Sequence, residues 1–508
     1  MAYTNYLIVN KSNLFLLIPE LFFFGLIIFV LLLSLFFSLS KTYNYPLILP
    51  SLINFSIVGM FLTVILYLNN FKDNFLLLNN CLQVNYTLNH FKIIILIFTI
   101  FFLFSINQYI IRNRINDFEI LLLLLIATFC NLILISAFDF LIVFTLLEIQ
   151  SLCYYCLVAS SKKTLLGTEA GLKYFIIGSV SAIFILFGLL NIYFVSGTLN
   201  FYDLILFNLA PINDKVLSFI FKFGIILIFF GLFFKLLIVP FHFWAVEVYD
   251  GAPTIVTFYL LLVPKFTYFV IMLKLYYFVF RIYIIELQIC FIFLAFLSIL
   301  VGSFVGFRQI KLKKLLIFSS INHIGFVFLA FSLGSLESLT VCFSYLVVYM
   351  LISLNIWNFF LIFTNNTSKN KNLIYISDLK YLLRGNKPLT YIFVLNLVFL
   401  SGMPPFIGFF IKFLLLSLAV DLYLYFLITL ILFINVLASY YYFNIIKTLV
   451  YDNDLLKARR GYYNKYLRCI NRRSLYVILL NSLFIIYLSF NPELVTNYIY
   501  KLISVIMF

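Results

Sequence analysis

The sequence predicts an all-α polytopic membrane protein of about fourteen transmembrane helices. They are organised as two inverted five-helix repeats, helices 4–8 and 9–13, with helices 7 and 12 broken. Three observations carry this reading. Of 508 residues, 65% are hydrophobic and only 10% charged, where soluble domains hold about 45–50% apolar and about 25% charged residues. The apolar residues fall in runs of about twenty, the length that crosses a bilayer core. Two of those runs, five apart in order, contain both proline and lysine: FGIILIFFGLFFKLLIVPFHFW and LVFLSGMPPFIGFFIKFLLLSL.

The expected helices cover 14–38, 47–68, 92–111, 118–136, 139–159, 170–195, 217–241, 255–279, 284–305, 314–333, 338–363, 390–420, 423–447 and 474–492. Basic residues gather in the connections after odd-numbered helices: Lys41, Arg112 and Arg114, Lys162 and Lys163, Arg308 to Lys314, Lys369 to Lys387, and KARRGYYNKYLRCINRR. The connections after even-numbered helices hold few charges, mostly acidic, such as Asp73, Asp203, Asp214 and Glu286. The positive-inside rule then puts odd connections in the cytoplasm or matrix, and both termini on the other side. One odd connection dissents: HFWAVEVYDGAP after helix 7 carries Glu247 and Asp250, and reads as a functional loop. The net charge of +16 is therefore a topological signal; no basic face for nucleic acid is present.

A repeat of five helices has an odd number of crossings, so its second copy must sit upside down. Half-helix ends then meet near the midplane, the pattern of ion sites in transporters. Proline removes a backbone donor, which is tolerable at that depth only inside protein or beside a water-filled cavity. The domain reading is 1–117 for three N-terminal helices, 118–281 for the first repeat, 282–450 for the second, and 451–508 for a basic loop and last helix.

Of seven cysteines, Cys153 and Cys156 form a C-x-x-C within helix 5 without a second pair, which reads as helix packing. There is no iron–sulfur spacing, phosphate loop or nucleotide fingerprint, so no cofactor is expected in this chain. The N-terminus reads as neither transit nor signal peptide. With 66 Phe and 36 Tyr against 18 Gly, the composition suits an AT-rich, organelle-encoded gene.

A charge at the bilayer centre costs at least about 2.5–3.5 kcal/mol and is a functional candidate by default. Glu148 lies mid-way along helix 5 and could ionise beside a lysine. Lys173, early in helix 6, could snorkel to the interface or partner Glu148. Lys235 precedes Pro240 in helix 7, and Lys412 follows Pro405 in helix 12. Lys265 follows Pro264 in helix 8; Lys274, nine residues on, faces the other way and is expected to snorkel, like Lys222. His323 in helix 10, the inverted counterpart of helix 5, can relay protons through two nitrogens or simply pack. His242 is open between relay and loop roles, His90 reads as a loop residue, and Glu20 as interfacial. Titratable groups spread over six helices form a lateral chain that suits protons better than a bulky solute.

Four motifs in order, GLKYFIIGSVSA, FKLLIVPFHFW with VYDGAPT, SSINHIGF and SGMPPFIGFFIKF, resemble those of the antiporter-like membrane subunits of respiratory complex I. The resemblance covers residues 118–450, and the earlier helices by count and by PELFF only. It implies proton translocation across the mitochondrial inner membrane, coupled to electron transfer from NADH to ubiquinone. By motif position, Glu148 and Lys235 become the key pair of the first half-channel and Lys173 an additional lysine near it. Lys265 becomes the central lysine, Lys412 the terminal lysine of the second half-channel, and His323 the group joining them. Flavin, iron–sulfur clusters and quinone are implied on other subunits. Implied partners are other membrane-arm subunits, neighbouring antiporter-like ones included, and lipids, with both termini on the intermembrane-space side. One departure is Val246–Glu247, where the family usually shows Pro–Asp. Two alternatives stand: a subunit of a free-standing multisubunit cation/proton antiporter, and a purely structural subunit whose lysines only form ion pairs.

Overall fold

A computed structural model describes residues 14–38, 48–69, 75–113, 117–161, 164–209, 214–364, 375–381, 387–450 and 472–507. In chain order the helices are α1 (Ile18–Ser38), α2 (Ile48–Leu68), α3 (Tyr86–Asn113), α4 (Phe118–Ser136), α5 (Phe140–Val158), α6 (Leu165–Ser196), α7 (Phe201–Leu209), α8 (Lys215–Leu236) and α9 (Phe243–Gly251). They continue with α10 (Thr254–Leu273), α11 (Ile284–Phe307), α12 (Leu312–Ser332), α13 (Leu336–Thr364), α14 (Lys387–Ser401), α15 (Ile407–Asp421), α16 (Tyr425–Val450), α17 (Arg472–Phe490) and α18 (Glu493–Met507). A small hairpin, β1 (Phe75–Leu77) paired antiparallel with β2 (Leu82–Val84), fills the connection between α2 and α3.

Among the described residues, twelve helices are long and apolar enough to cross a membrane, and α17 with α18, bent by 86°, can make a thirteenth. Three expectations need correction. Helix 3 begins at Tyr86, so His90 is helical, with its Nδ1 2.7 Å from the Tyr498 hydroxyl. HFWAVEVYDG, expected as a loop, forms the short helix α9. Glu20 is buried, with Oε1 2.5 Å from Lys92 Nζ, and joins α1 to α3 instead of lying at the interface.

Helices α10 and α12 are buried along their apolar windows, whereas α6, α11 and α16 keep most of theirs outward. Lipid tails are as apolar as leucine, so contacts between the helices must come from close packing and hydrogen bonds. At Gly188 of α6 a Cβ would stand 2.7 Å from the Gly224 carbonyl oxygen of α8, so only glycine allows these backbones so near. Polar contacts tie α13 to two neighbours: Asn355 Nδ2 donates to Asn396 Oδ1 at 3.2 Å, and Asn481 Nδ2 to Asn355 Oδ1 at 2.9 Å.

Candidate functional site

The first break follows from two residues. Leu237 adopts the left-handed region (φ 66°), and Pro240 has no N–H to continue a helix. The last turn of α8 thereby presents Lys235 toward α5, where its Nζ donates to the Leu147 carbonyl at 3.3 Å and lies 4.0 Å from Glu148 Oε1. The Lys235 side chain is 9% exposed and that of Glu148 30%. At 4.0 Å the two are an ion pair without a hydrogen bond, and Glu148 Oε1 has no hydrogen-bond partner among the described residues. Charge, without a hydrogen bond, therefore links Oε1 to the lysine. Beside the pair is a cavity of about 30 Å³, lined by Lys235, Ser151, Tyr154, Tyr155, Tyr268 and Pro264 among others. A water needs roughly 10–15 Å³ of such space together with polar partners, and the hydroxyls supply them.

Pro264 leads to Lys265 on α10, which is 3% exposed, with no hydrogen-bond partner for its Nζ among the described residues. Its ammonium lies 5.7 Å from the Tyr349 ring centroid on α13, within cation–π range. That ring stands 5.1 Å from His323 on α12. His323 Nδ1 is 2.9 Å from the Tyr345 hydroxyl and Nε2 3.0 Å from the Tyr442 hydroxyl, so both nitrogens are engaged. His323 and Lys412 line one cavity of about 20 Å³. Lys412 Nζ donates to the Ser401 carbonyl at 3.3 Å and to Asn435 Oδ1 at 3.1 Å. Gly402, at the second break, has φ 74°, and a Cβ there would meet Lys412 Nζ at 2.9 Å. Both breaks thus place a left-handed residue three positions before a proline, Leu237 before Pro240 and Gly402 before Pro405.

The family pattern described as NADH:quinone oxidoreductase/Mrp antiporter, TM, matches residues 137–438. NADH-ubiquinone oxidoreductase chain 2 of Marchantia polymorpha is 32% identical over 449 residues, covering 86% of this chain and 88% of its own. The chain belongs to this family. NADH-quinone oxidoreductase subunit N of Pelagibacter ubique is 31% identical over 447 residues, covering 87% and 91%. A chain of respiratory complex I from Thermus thermophilus shares the fold, with a TM-score of 0.73 at 22% identity, covering 94% of this chain and 99% of that one. The chain is thus an antiporter-like membrane subunit of the complex I kind, of the chain 2/subunit N type.

In this complex I family member the residues singled out from sequence do not all meet. Glu148 and Lys235 do, and Lys265, His323 and Lys412 follow through Tyr349 and the shared cavity. Lys173 lies apart from Glu148: its Nζ is 2.6 Å from Glu247 and 2.7 Å from Glu169, with 43% of its side chain exposed. The Lys173 ammonium, by hydrogen bond and then by charge, holds the Glu247 carboxyl below the usual carboxylate value. Lys222 pairs with Glu286 at 2.6 Å and stays exposed, as expected. Lys274 does not snorkel; it is 6% exposed and donates to the Ala137 carbonyl at 2.9 Å. His242 is buried, and its Nδ1 has no hydrogen-bond partner among the described residues. Among those residues, no three His, Cys, Asp or Glu side chains are placed to hold a metal.

Sequence reasoning missed the uncharged half of the site. Gln150 Nε2 donates to Asn131 Oδ1 and to the Tyr154 hydroxyl, both at 2.6 Å, and Thr267 Oγ1 donates to Asn131 Oδ1 at 3.0 Å. Tyr345 and Tyr349, four apart on α13, share one helix face. That spacing was legible, but with 36 tyrosines in the chain it could not be told from packing.

Proposed function

We propose that this chain is an antiporter-like core subunit of the membrane arm of mitochondrial complex I, translocating protons across the inner membrane as electrons pass from NADH to ubiquinone. One observation carries the reading: ionisable groups follow one another from the half-buried Glu148 and buried Lys235 through the buried Lys265 and His323 to Lys412, with hydroxyls and water-sized cavities along the way. In this scheme Glu148 sets the charge state of Lys235, Lys265 passes the proton on, His323 relays it between Tyr345 and Tyr442, and Lys412 releases it. Lys173 supports the acidic helix α9 beside the pair. Moving a proton against the membrane potential costs about 2.3 kcal/mol per 100 mV, so the driving force must come from redox chemistry on other subunits. Flavin, iron–sulfur clusters and quinone belong there.

The finer architecture is part of the proposal. Counting α14 with α15 as one broken helix and α17 as another crossing gives fourteen, with 118–281 and 282–450 as inverted repeats between units 1–117 and 451–508. The matching left-handed residues before Pro240 and Pro405 support that symmetry. The Phe- and Tyr-rich composition supports an organelle-encoded protein of the inner membrane, with both termini toward the intermembrane space. Other membrane-arm subunits and lipids are its partners; Glu148, 30% exposed on α5, needs a covering neighbour. The runner-up is a multisubunit cation/proton antiporter, since the matching family includes both kinds. Identities of 31–32% to chain 2 and subunit N proteins favour complex I.

A native gel of solubilised membranes, stained for NADH dehydrogenase activity and read by mass spectrometry, separates the two. The chain is expected in the active, megadalton-scale band. Its recovery only in a smaller, inactive band would leave the antiporter.

A further inference from the structure

The acidic helix α9 is held from two sides. On one side Gly251 lies against α6, where a Cβ would stand 2.6 Å from the Leu166 carbonyl oxygen. Trp244 stacks on Tyr174 of α6 with ring centroids 4.9 Å apart, and Glu247 pairs with Lys173. On the other side is the start of α12. Lys311 Nζ donates to Asp250 Oδ2 at 3.2 Å, and Lys314 Nζ lies 3.6 Å from the same oxygen. Lys313 Nζ donates to the main-chain carbonyls of Asp250 at 3.3 Å and Ala252 at 2.6 Å, at the end of α9. Three cations thus converge on one carboxylate and on the negative end of one helix. An isolated surface pair contributes little, but several charges meeting at one point form a network. The contacts also account for the acidic connection after helix 7: the lysines of the connection after helix 9, on the same membrane face, match its charge.

Trp244 and Tyr249 of α9 line the cavity beside Lys235. Helix α12 carries His323, about three turns beyond Lys311, into the cavity shared with Lys412. We propose that Asp250 is a positioning residue for proton transfer. By fixing α9 to α12 it keeps the Trp244–Tyr249 wall of the Lys235 cavity in register with the helix that bears His323. A helix as short as α9 does not hold its place by backbone hydrogen bonds alone, so the clamp decides where that wall stands. This role presupposes proton translocation by the chain, and it adds a link between the two halves that lies outside the line of ionisable groups itself.

The test measures protons pumped per NADH oxidised by proteoliposomes holding the whole complex, beside its thermal denaturation midpoint. Asp250→Asn, which keeps the shape and removes the charge, is expected to lower the proton yield severalfold with the midpoint near native. Asp250→Glu is expected to restore most of that yield. Electron cryomicroscopy of the Asp250→Asn complex should show the Trp244 ring displaced from the Lys235 cavity. If Asp250→Asn does not assemble, Lys311→Gln with Lys314→Gln removes the same contacts from α12 and is expected to give the same loss. Native proton yield from the variant that assembles, an unmoved α9, or equal losses of yield and midpoint would each overturn the role of Asp250. A Lys235→Met complex that pumps fully removes proton translocation by this chain altogether. One that loses pumping while Asp250→Asn keeps it removes the positioning role alone.

Discussion

Gly402 shows how a single hydrogen atom shapes the site. It is left-handed, and a Cβ would press on Lys412 Nζ at 2.9 Å, so Gly402→Ala combines backbone strain of about 1–2 kcal/mol with displacement of the ammonium. The expected outcome is an assembled complex whose proton pumping falls further than its thermal stability; equal losses in both would make Gly402 a folding residue only. The pair Lys173–Glu247 carries a pH signature. Because the Glu247 carboxyl is depressed by the Lys173 ammonium, its contribution is present above the unfolded carboxyl pKa and lost as pH falls through the folded value. The contact is thus expected to hold through neutral pH and open only in acid. Infrared titration of the Glu247 carboxyl band should place its midpoint below the usual carboxylate range, moving upward in Lys173→Met. A midpoint unmoved by that substitution would show that the contact does not form in the membrane.

At the scale of elements, the N-terminal helices hold to the rest partly through one buried pair, Glu20 on α1 and Lys92 on α3. Removing one partner of such a pair leaves an uncompensated charge and costs about 3–5 kcal/mol. Lys92→Met should therefore lower the denaturation midpoint of the solubilised complex clearly, and adding Glu20→Leu should recover most of the loss. A double variant as unstable as the single one would mean that shape, not charge, joins α1 to α3. This pair was not legible in sequence, because Glu20 and Lys92 each lie within two turns of a helix end, where hydropathy cannot tell burial from snorkelling. Lys274 misled for the same reason. Lys235, Lys265 and Lys412 were legible because each has long apolar runs on both sides, so no interface is within reach of the side chain. The helix breaks were legible because Pro240 and Pro405 interrupt such runs; α9 was not, since nine residues of mixed polarity read equally well as loop.

For the whole molecule, hydropathy located most of the spans, twelve or thirteen of the fourteen expected being long and apolar enough among the described residues, because the membrane imposes length and polarity on every crossing. It could not supply the lateral arrangement of helices, which rests on contacts between residues more than a hundred positions apart, such as His323 with Tyr442. The proposal at this scale is that a polar chain through the bundle moves protons under an external drive. The most direct test is the number of protons pumped per NADH oxidised by proteoliposomes containing the Lys235→Met complex, beside a native gel that checks its assembly. The account predicts normal assembly with pumping reduced by on the order of tenfold, the factor that about 1.4 kcal/mol on the transfer step produces. Full pumping from an assembled Lys235→Met complex would contradict it and reduce the buried lysines to structural ion pairs.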